Sequence, residues 1–218
     1  MNHVYHPLSE KRDDDGQFSF MHRSFLEFFL AKHLYQAFKN KEGIKKCLNT
    51  TRFDRKVIFF LYLLDQQNCV IPSLQDILTA AYEKNISENA LQILYWLARF
   101  ECDMEDTISD VQKMQTMTDK LFPSKMRLKK ASLQEINLEA ADLKQADLSQ
   151  ADLSQANLIH AIIQKANLKN TILKEAKLDQ IELKNVETGK IKNVLRNRLL
   201  KNTKTYGPMR KNLKTILN

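Results

Sequence analysis

Five histidines, three cysteines and a series of evenly spaced aspartates are the side chains of this 218-residue chain that could do chemistry. His3, His6, His22, His33 and His160 form no HExxH pair, the spacing that sets two imidazoles on one helix face for zinc. Cys47, Cys69 and Cys102 are far apart and follow no metal-ligand pattern, and no GxSxG places a serine nucleophile on a sharp turn. An odd number of scattered cysteines predicts free thiols in a reducing compartment, and so a cytoplasmic protein. Asp13, Asp14 and Asp15 lack the spaced ligands and closing glutamate of a calcium loop and read as a hairpin tip. Asp142, Asp147 and Asp152 lie five apart, which suits solvated turn formers better than a paired acid and base. The glycines, Gly16, Gly43, Gly189 and Gly207, sit in no GxxxxGK[ST] phosphate loop. The sequence therefore predicts no catalytic residue, no metal and no cofactor held by this chain alone.

Those aspartates belong to a wider pattern. From Met126 to Asn185 a five-residue unit repeats without insertion, cleanest in ADLKQ ADLSQ ADLSQ ANLIH. Large aliphatic residues recur at Leu128, Leu133, Leu138, Leu143, Leu148, Leu153, Leu158, Ile163, Leu168, Leu173, Leu178 and Leu183. Two residues before most of them sits a small one, as at Ala141, Ala146, Ala151 and Ala156. Five residues advance an α-helix by about 500°, so the apolar positions would wander round it, and an odd period flips a strand's side chains at each repeat. A chain that turns a corner in every unit satisfies the pattern. Leu and Ala then point inward, the other three residues point outward, and successive coils stack around a continuous core.

Ala, Asp or Asn, Leu and two variable residues is the consensus of the pentapeptide repeat proteins, which residues 126–185 resemble. The resemblance implies a right-handed, four-sided β-helix of about three coils, with Leu133, Leu138, Leu143, Leu148, Leu153, Leu158, Ile163, Leu168, Leu173 and Leu178 as the repeat core. On a four-sided coil the three aspartates face different sides. At a strand spacing of roughly 4.8 Å the tower stands only about 15 Å tall, so both ends need covering. Ile136, Ile181 and Val186 replace Ala near those ends, where a bulkier side chain fills space against a cap.

Upstream the pattern changes. Val4 to Leu8, a turn around Asp13 to Gly16, and Gln17 to Met21 read as a β-hairpin. Ser24 and Glu27 make a capping-box signature for a helix whose apolar face holds Phe25, Phe28, Phe29, Ala31, Leu34, Tyr35 and Phe38, wide enough to predict burial on several sides. This stretch, FSFMHRSFLEFFLAKHL, resembles the end of the winged-helix subdomain of NACHT-type signalling ATPases, the class that includes the NOD-like receptors. Phe18, Phe20, His22, Ser24, Phe25, Glu27, Phe28 and Ala31 carry the match, and Leu30 departs where a second Ala is common. The resemblance implies that His22 senses a nucleotide phosphate. Without a phosphate loop here, His22 could do so only with an upstream ATPase chain; otherwise it closes a strand or is a vestige.

Helices are expected over Lys41 to Leu48, Arg52 to Gln66, Leu74 to Lys84, Glu88 to Phe100 and Thr107 to Leu121, with Thr51, Ser73 and Ser87 at their starts. Their thick apolar faces suit a small bundle in which Trp96 is a core or interface aromatic. The chain reads as α+β: a winged-helix-like hairpin and helix (1–40), a helical bundle (41–122), the repeat (123–190) and a basic cap or tail (191–218).

Charge is uneven along this order. Residues 190–218 hold nine Lys or Arg and no Asp or Glu, and the remaining 25 basic residues face all 26 acidic ones, so the whole excess of +8 comes from the tail. Ile191, Val194, Leu195 and Leu199 fall at helical spacing around Lys192, Arg196 and Arg198. Three uses stay open: an end cap, docking to a partner or anionic membrane, and nucleic-acid contact through Lys192, Arg196, Arg198, Lys201 and Lys204. The longest strongly apolar run, Phe59 to Leu64, is too short to span a membrane. The expected function is non-catalytic: a scaffold that meets a protein partner through the outer faces of the β-helix, as the C-terminal sensor part of a NACHT-like ATPase. The alternatives are a gyrase-protecting DNA mimic, against which the near-neutral repeat argues, and a nucleic-acid or anionic-membrane binder acting through the tail.

Overall fold

The fold is that of a computed structural model, which describes residues 11–12, 18–19, 23–103, 110–189 and 195. A hairpin of β1 (Lys11–Arg12) and β2 (Phe18–Ser19) is followed by α1 (Arg23–Asn40), α2 (Ile44–Leu48), α3 (Arg55–Leu64), α4 (Val70–Thr79), α5 (Ile86–Asp103) and α6 (Asp110–Leu121). α1 packs on α3, and α5 receives α3, α4 and α6. The repeat follows directly, with β3 (Ile162–Gln164) and β4 (Glu182–Lys184) as its named strands.

Several local expectations are corrected. The partner of β2 is Lys11–Arg12, in the register Arg12↔Phe18; Val4 to Leu8 lies outside the described residues. Ser24 lies inside α1, and Glu27 takes the Arg23 guanidinium at 3.0 Å instead of closing a capping box. α3 is capped by Asp54, not Thr51: its carboxylate accepts the Lys56 N–H at 2.9 Å, and its charge suits the helix start. α4 starts ahead of Ser73, because Asp65 accepts the Cys69 and Val70 N–H groups at 2.9 and 3.2 Å, and Pro72 falls in the first turn where its missing N–H costs nothing. α5 likewise starts before Ser87, at Ile86.

α1 is only half enclosed among the described residues. Ala31, Leu34, Tyr35 and Phe38 are buried, whereas Leu26 and Leu30 are 45% and 46% exposed, and Phe59 and Leu63 of α3 are similarly open. The expectation of burial on several sides fails on that face. Elsewhere the buried apolar side chains form one continuous cluster that runs from α1 through α6 into the repeat and includes Leu195.

In the repeat, the residue before each core aliphatic bridges in parallel to the residue twenty further on. The resulting columns are Arg127↔Asp147↔Asn167↔Glu187 (column I), Ser132↔Asp152↔Ile172 (II), Asn137↔Asn157↔Lys177 (III) and Asp142↔Ile162↔Glu182 (IV). The chain therefore passes over itself every four units. Bonds such as Leu128 N–H to Asp147 O and Asp147 N–H to Met126 O, both 2.9 Å, tie the layers. Leu133, Leu138, Leu143, Leu148, Leu153 and Leu158 have no exposure, and Ile163, Leu168, Leu173 and Leu178 have 1–6%.

Each corner has a physical cause. The Ala151 N–H returns to Leu148 O at 3.0 Å, closing a four-residue turn whose third residue, Gln150, has φ of 61°. The same left-handed value recurs every fifth residue from Lys125 to Asn185, at 54–63°, with no β-branched residue among them. The Asp or Asn before the core Leu supports the turn. Asn137, Asp142, Asp147, Asp152, Asn157 and Asn167 each accept the N–H two residues on, at 2.9–3.2 Å. Ile162 and Glu182 make no such bond among the described residues, and their units lengthen into β3 and β4, whereas Ile172 and Lys177 lack it too and keep the short turn. Left-handed backbone costs an L-residue roughly 1–2 kcal/mol, while glycine loses more freedom on folding. Gln150→Gly is thus expected to stabilise the protein by about 0.5–1 kcal/mol, read as a higher melting temperature.

Candidate interaction surface

The helices grip the tower at its first layer and along one side. The Arg127 N–H donates to Leu78 O at the end of α4 (2.8 Å). Glu88 of α5 accepts the Ser132 N–H at 2.8 Å and the Tyr82 hydroxyl at 2.5 Å. The Arg52 guanidinium donates to the Gln134 and Ser132 carbonyls at 2.7 and 3.2 Å. α6 lies against columns III and IV: Thr118 Oγ1 accepts the Asp142 N–H at 3.0 Å, and Gln115 Nε2 donates to His160 O at 2.9 Å.

Asp142 is consequently not a solvated turn former. It is 5% exposed, paired with Lys144 at 2.6 Å, and Lys144 also reaches Asp119 of α6 at 2.9 Å. Burial pushes the Asp142 carboxyl up, the hydrogen bond from Lys144 holds Asp119 below the usual range, and both carboxylates raise Lys144. Asp147 and Asp152 are partly exposed.

Two phenols at this joint make the fold sensitive to alkali. Burial, then the nearby Glu139 charge, pushes Tyr95 up; burial, then the Glu88 hydrogen bond, raises Tyr82. A phenol raised in the fold keeps its proton more tightly there than in the unfolded chain. Its stabilisation is whole below the unfolded value of about 10 and is lost as pH rises past it. The melting temperature is expected to fall above about pH 10, and Tyr95→Phe to flatten that fall.

On the outer faces, the residue after a core aliphatic reaches the residue before the next one below, eighteen positions on. Gln134 donates to Asp152 (2.6 Å), Asn157 to Glu139 (3.2 Å) and Gln164 to Glu182, and Lys169 pairs with Glu187 (2.8 Å). The charges sort by column. Column I carries Arg127, Lys129, Lys130 and Lys169 against Asp147 and Glu187, and column IV carries Lys144, Lys165 and Lys184 against Asp142 and Glu182. Columns II and III together hold Lys174 and Lys177 against Glu135, Glu139, Asp152, Glu175 and Asp179. A tower that is neutral in sum is polarised across its width.

A five-residue unit that stacks every twenty residues sets the comparison with known proteins. This segment matches the pentapeptide repeats. The family model of that description covers residues 127–158 and 151–186, with eight copies. The pentapeptide match thus spans a little over a quarter of the chain and stops short of the helices. Among solved structures, a pentapeptide repeat protein (Rfr23) from the cyanobacterium Cyanothece 51142 is 35% identical over 29% of this chain, with a TM-score of 0.23. The chain spans about half, 54%, of that protein. No curated protein matches the chain.

Other sequence candidates fall elsewhere. His22, Lys192, Arg196, Arg198, Lys201 and Lys204 lie outside the described residues, while Leu195 is fully buried. An open cleft of about 820 Å³ between α3, α4, α5 and α6 is lined by Tyr62, Asp65, Ile71, Glu101, Met117 and Lys120. Among the described residues no group of His, Cys, Asp and Glu is arranged to hold a metal ion, and no helix is long and apolar enough to cross a membrane. Trp96 stacks on Phe100 at 6.0 Å with the Arg55 guanidinium 4.5 Å above its ring, an aromatic packed between helices.

Proposed function

We propose that this chain is a non-catalytic interaction protein of the cytoplasm. In this reading the pentapeptide segment is a right-handed, four-sided β-helix of about three coils, and its outer faces meet a protein partner. The observation that carries the proposal is the division of labour in the repeat. Inward positions are committed to the core, the helices hold the first layer and one side, and outward residues such as Lys129, Gln155, Lys169 and Ile172 stand in solvent on a backbone fixed by ladder bonds.

The helical block is read as the piece that joins this recognition tower to a NACHT-like signalling ATPase supplied upstream. Support comes from α1, which carries the resemblance: its open apolar residues Leu26 and Leu30, with Phe59 and Leu63 of α3, suit an interface rather than a solvent face. The test is to co-express the chain with the reading frame encoded immediately upstream. A phosphate-loop protein that co-purifies with the wild type and is lost with Leu26→Glu/Leu30→Glu is expected. An unrelated product, or retention indifferent to those changes, overturns the ATPase link. DNA mimicry is disfavoured by the cationic columns I and IV, so gyrase supercoiling should keep full activity with the protein in micromolar excess.

A further inference from the structure

We infer that the hollow between α1 and the start of α3 is a binding site for an organic cation, and that this cation is a Lys or Arg side chain of the partner seated on α1. The second half deepens the interaction reading and rests on it. Glu27 is 4% exposed, and neither of its carboxylate oxygens receives a hydrogen bond among the described residues. The Arg23 guanidinium comes within 3.0 Å of Oε1 without the alignment of a hydrogen bond, and it also donates to Asp54 at 3.2 Å from a largely exposed position. A carboxylate taken out of water is costly unless donors complete it. Oε2 has none.

Glu27 opens onto a cavity of about 330 Å³ with apolar walls formed by Leu26, Leu30, Leu34, Phe53 and Val57. That is room for a side-chain-sized group, near the lower end of the ligand-site range of roughly 300–1,000 Å³. Two arginines reach the rim, and both are engaged. Arg52 donates to the Gln134 and Ser132 carbonyls of the tower at 2.7 and 3.2 Å, and Arg23 is divided between Glu27 and Asp54. An anion entering the cavity meets two carboxylates, and a neutral donor leaves the buried charge uncompensated. A guanidinium or ammonium on an aliphatic stem brings both the donors and the charge, with its stem laid along the leucines.

The position of the cavity selects the source of that cation. Leu26 and Leu30, the exposed residues of the face read as an interface, are also its walls. A partner laid over that face covers the mouth of the cavity and removes what water Glu27 still meets. Docking is therefore opposed unless the partner brings a cation of its own.

The test titrates the full chain, labelled at its Leu and Val methyl groups, with n-butylguanidinium and in parallel with butylurea, which keeps the N–H donors and lacks the charge. Methyl shifts confined to the cavity walls are expected, with the guanidinium binding about tenfold tighter than the urea. Glu27→Gln should abolish that preference, and Glu101→Gln, in the larger cleft, should leave it unchanged. Because Gln keeps the shape and removes a buried charge, Glu27→Gln should melt no lower than the wild type. A clear fall would mean that Arg23 already satisfies the carboxylate, and it overturns the proposal. So does an absence of shifts, equal binding of the two probes, or a preference that survives Glu27→Gln. The source is read from the co-expressed upstream product, whose retention should drop about tenfold with Glu27→Gln. Unchanged retention while the probe still binds overturns the partner's side chain and assigns the site to a free amine. If the wild type retains no product at all, the interaction reading fails and the cation site stands on the probe alone.

Discussion

Leu153→Lys is expected to unfold the whole protein rather than loosen one turn. Leu153 is completely buried in the middle layer of column II, with its backbone N–H bonded to Ile172 O at 2.8 Å below it. An ammonium there has no partner and no path to water, a cost of several kcal/mol even after relaxation, against a total stability of about 5–15 kcal/mol for an ordinary domain. Because one apolar cluster runs from α1 into the repeat, the loss should reach the helices, so that the helical circular-dichroism signal goes with it. Leu153→Met, which conserves volume, should cost less than about 1.5 kcal/mol. A Lys variant that melts like the wild type would refute the inward register of the repeat.

The second large effect is expected at the joint. Glu88 is 7% exposed, and one oxygen of its carboxylate serves both the Ser132 N–H and the Tyr82 hydroxyl. Glu88→Ala strands a backbone donor and a phenol in a place water reaches poorly, for a loss of about 2–4 kcal/mol in urea unfolding. Glu88→Gln keeps an acceptor and should lose far less. Combining Glu88→Ala with Tyr82→Phe should cost less than the two separate losses together, since they share one broken contact. An alanine variant within about 0.5 kcal/mol of wild type would show that the clasp does not hold the tower to the helices.

The repeat was legible because each unit sends one large and one small residue inward, and no other local geometry accepts a period of five. The role of its aspartates as turn formers was legible too, from the short reach of a carboxylate to the N–H two residues on. The burial of Asp142 was not, since it depends on α6 folding back across columns III and IV, which no residue near Asp142 announces. Helix starts went astray where two capping side chains compete. At Asp54 and Asp65 a carboxylate prevailed over the nearby Thr51 and Ser73, and an ionised acceptor at a helix start holds the stronger hydrogen bonds. The open side of α1 could not be read either, because a wide apolar stripe records that something covers it and not whether that something belongs to this chain. The diagonal pairs such as Gln134 with Asp152 become visible only after the twenty-residue return is known.

The corners also set how the tower can change over generations. The residue before the core aliphatic is Asp or Asn in the six units whose turns it supports and Arg, Ser, Ile, Lys or Glu in the others, while the one two after it must tolerate left-handed backbone, which bars Val, Ile and Thr. The residue immediately after the core aliphatic is under neither demand: Lys129, Gln134, Glu139, Lys144, Ser149, Ser154, Ile159, Gln164, Lys169, Lys174, Asp179 and Lys184. Basic, acidic, amide, hydroxyl and aliphatic side chains all occur there. Drift toward a new partner would be written first at this position, and in half the units also at the residue before the core aliphatic.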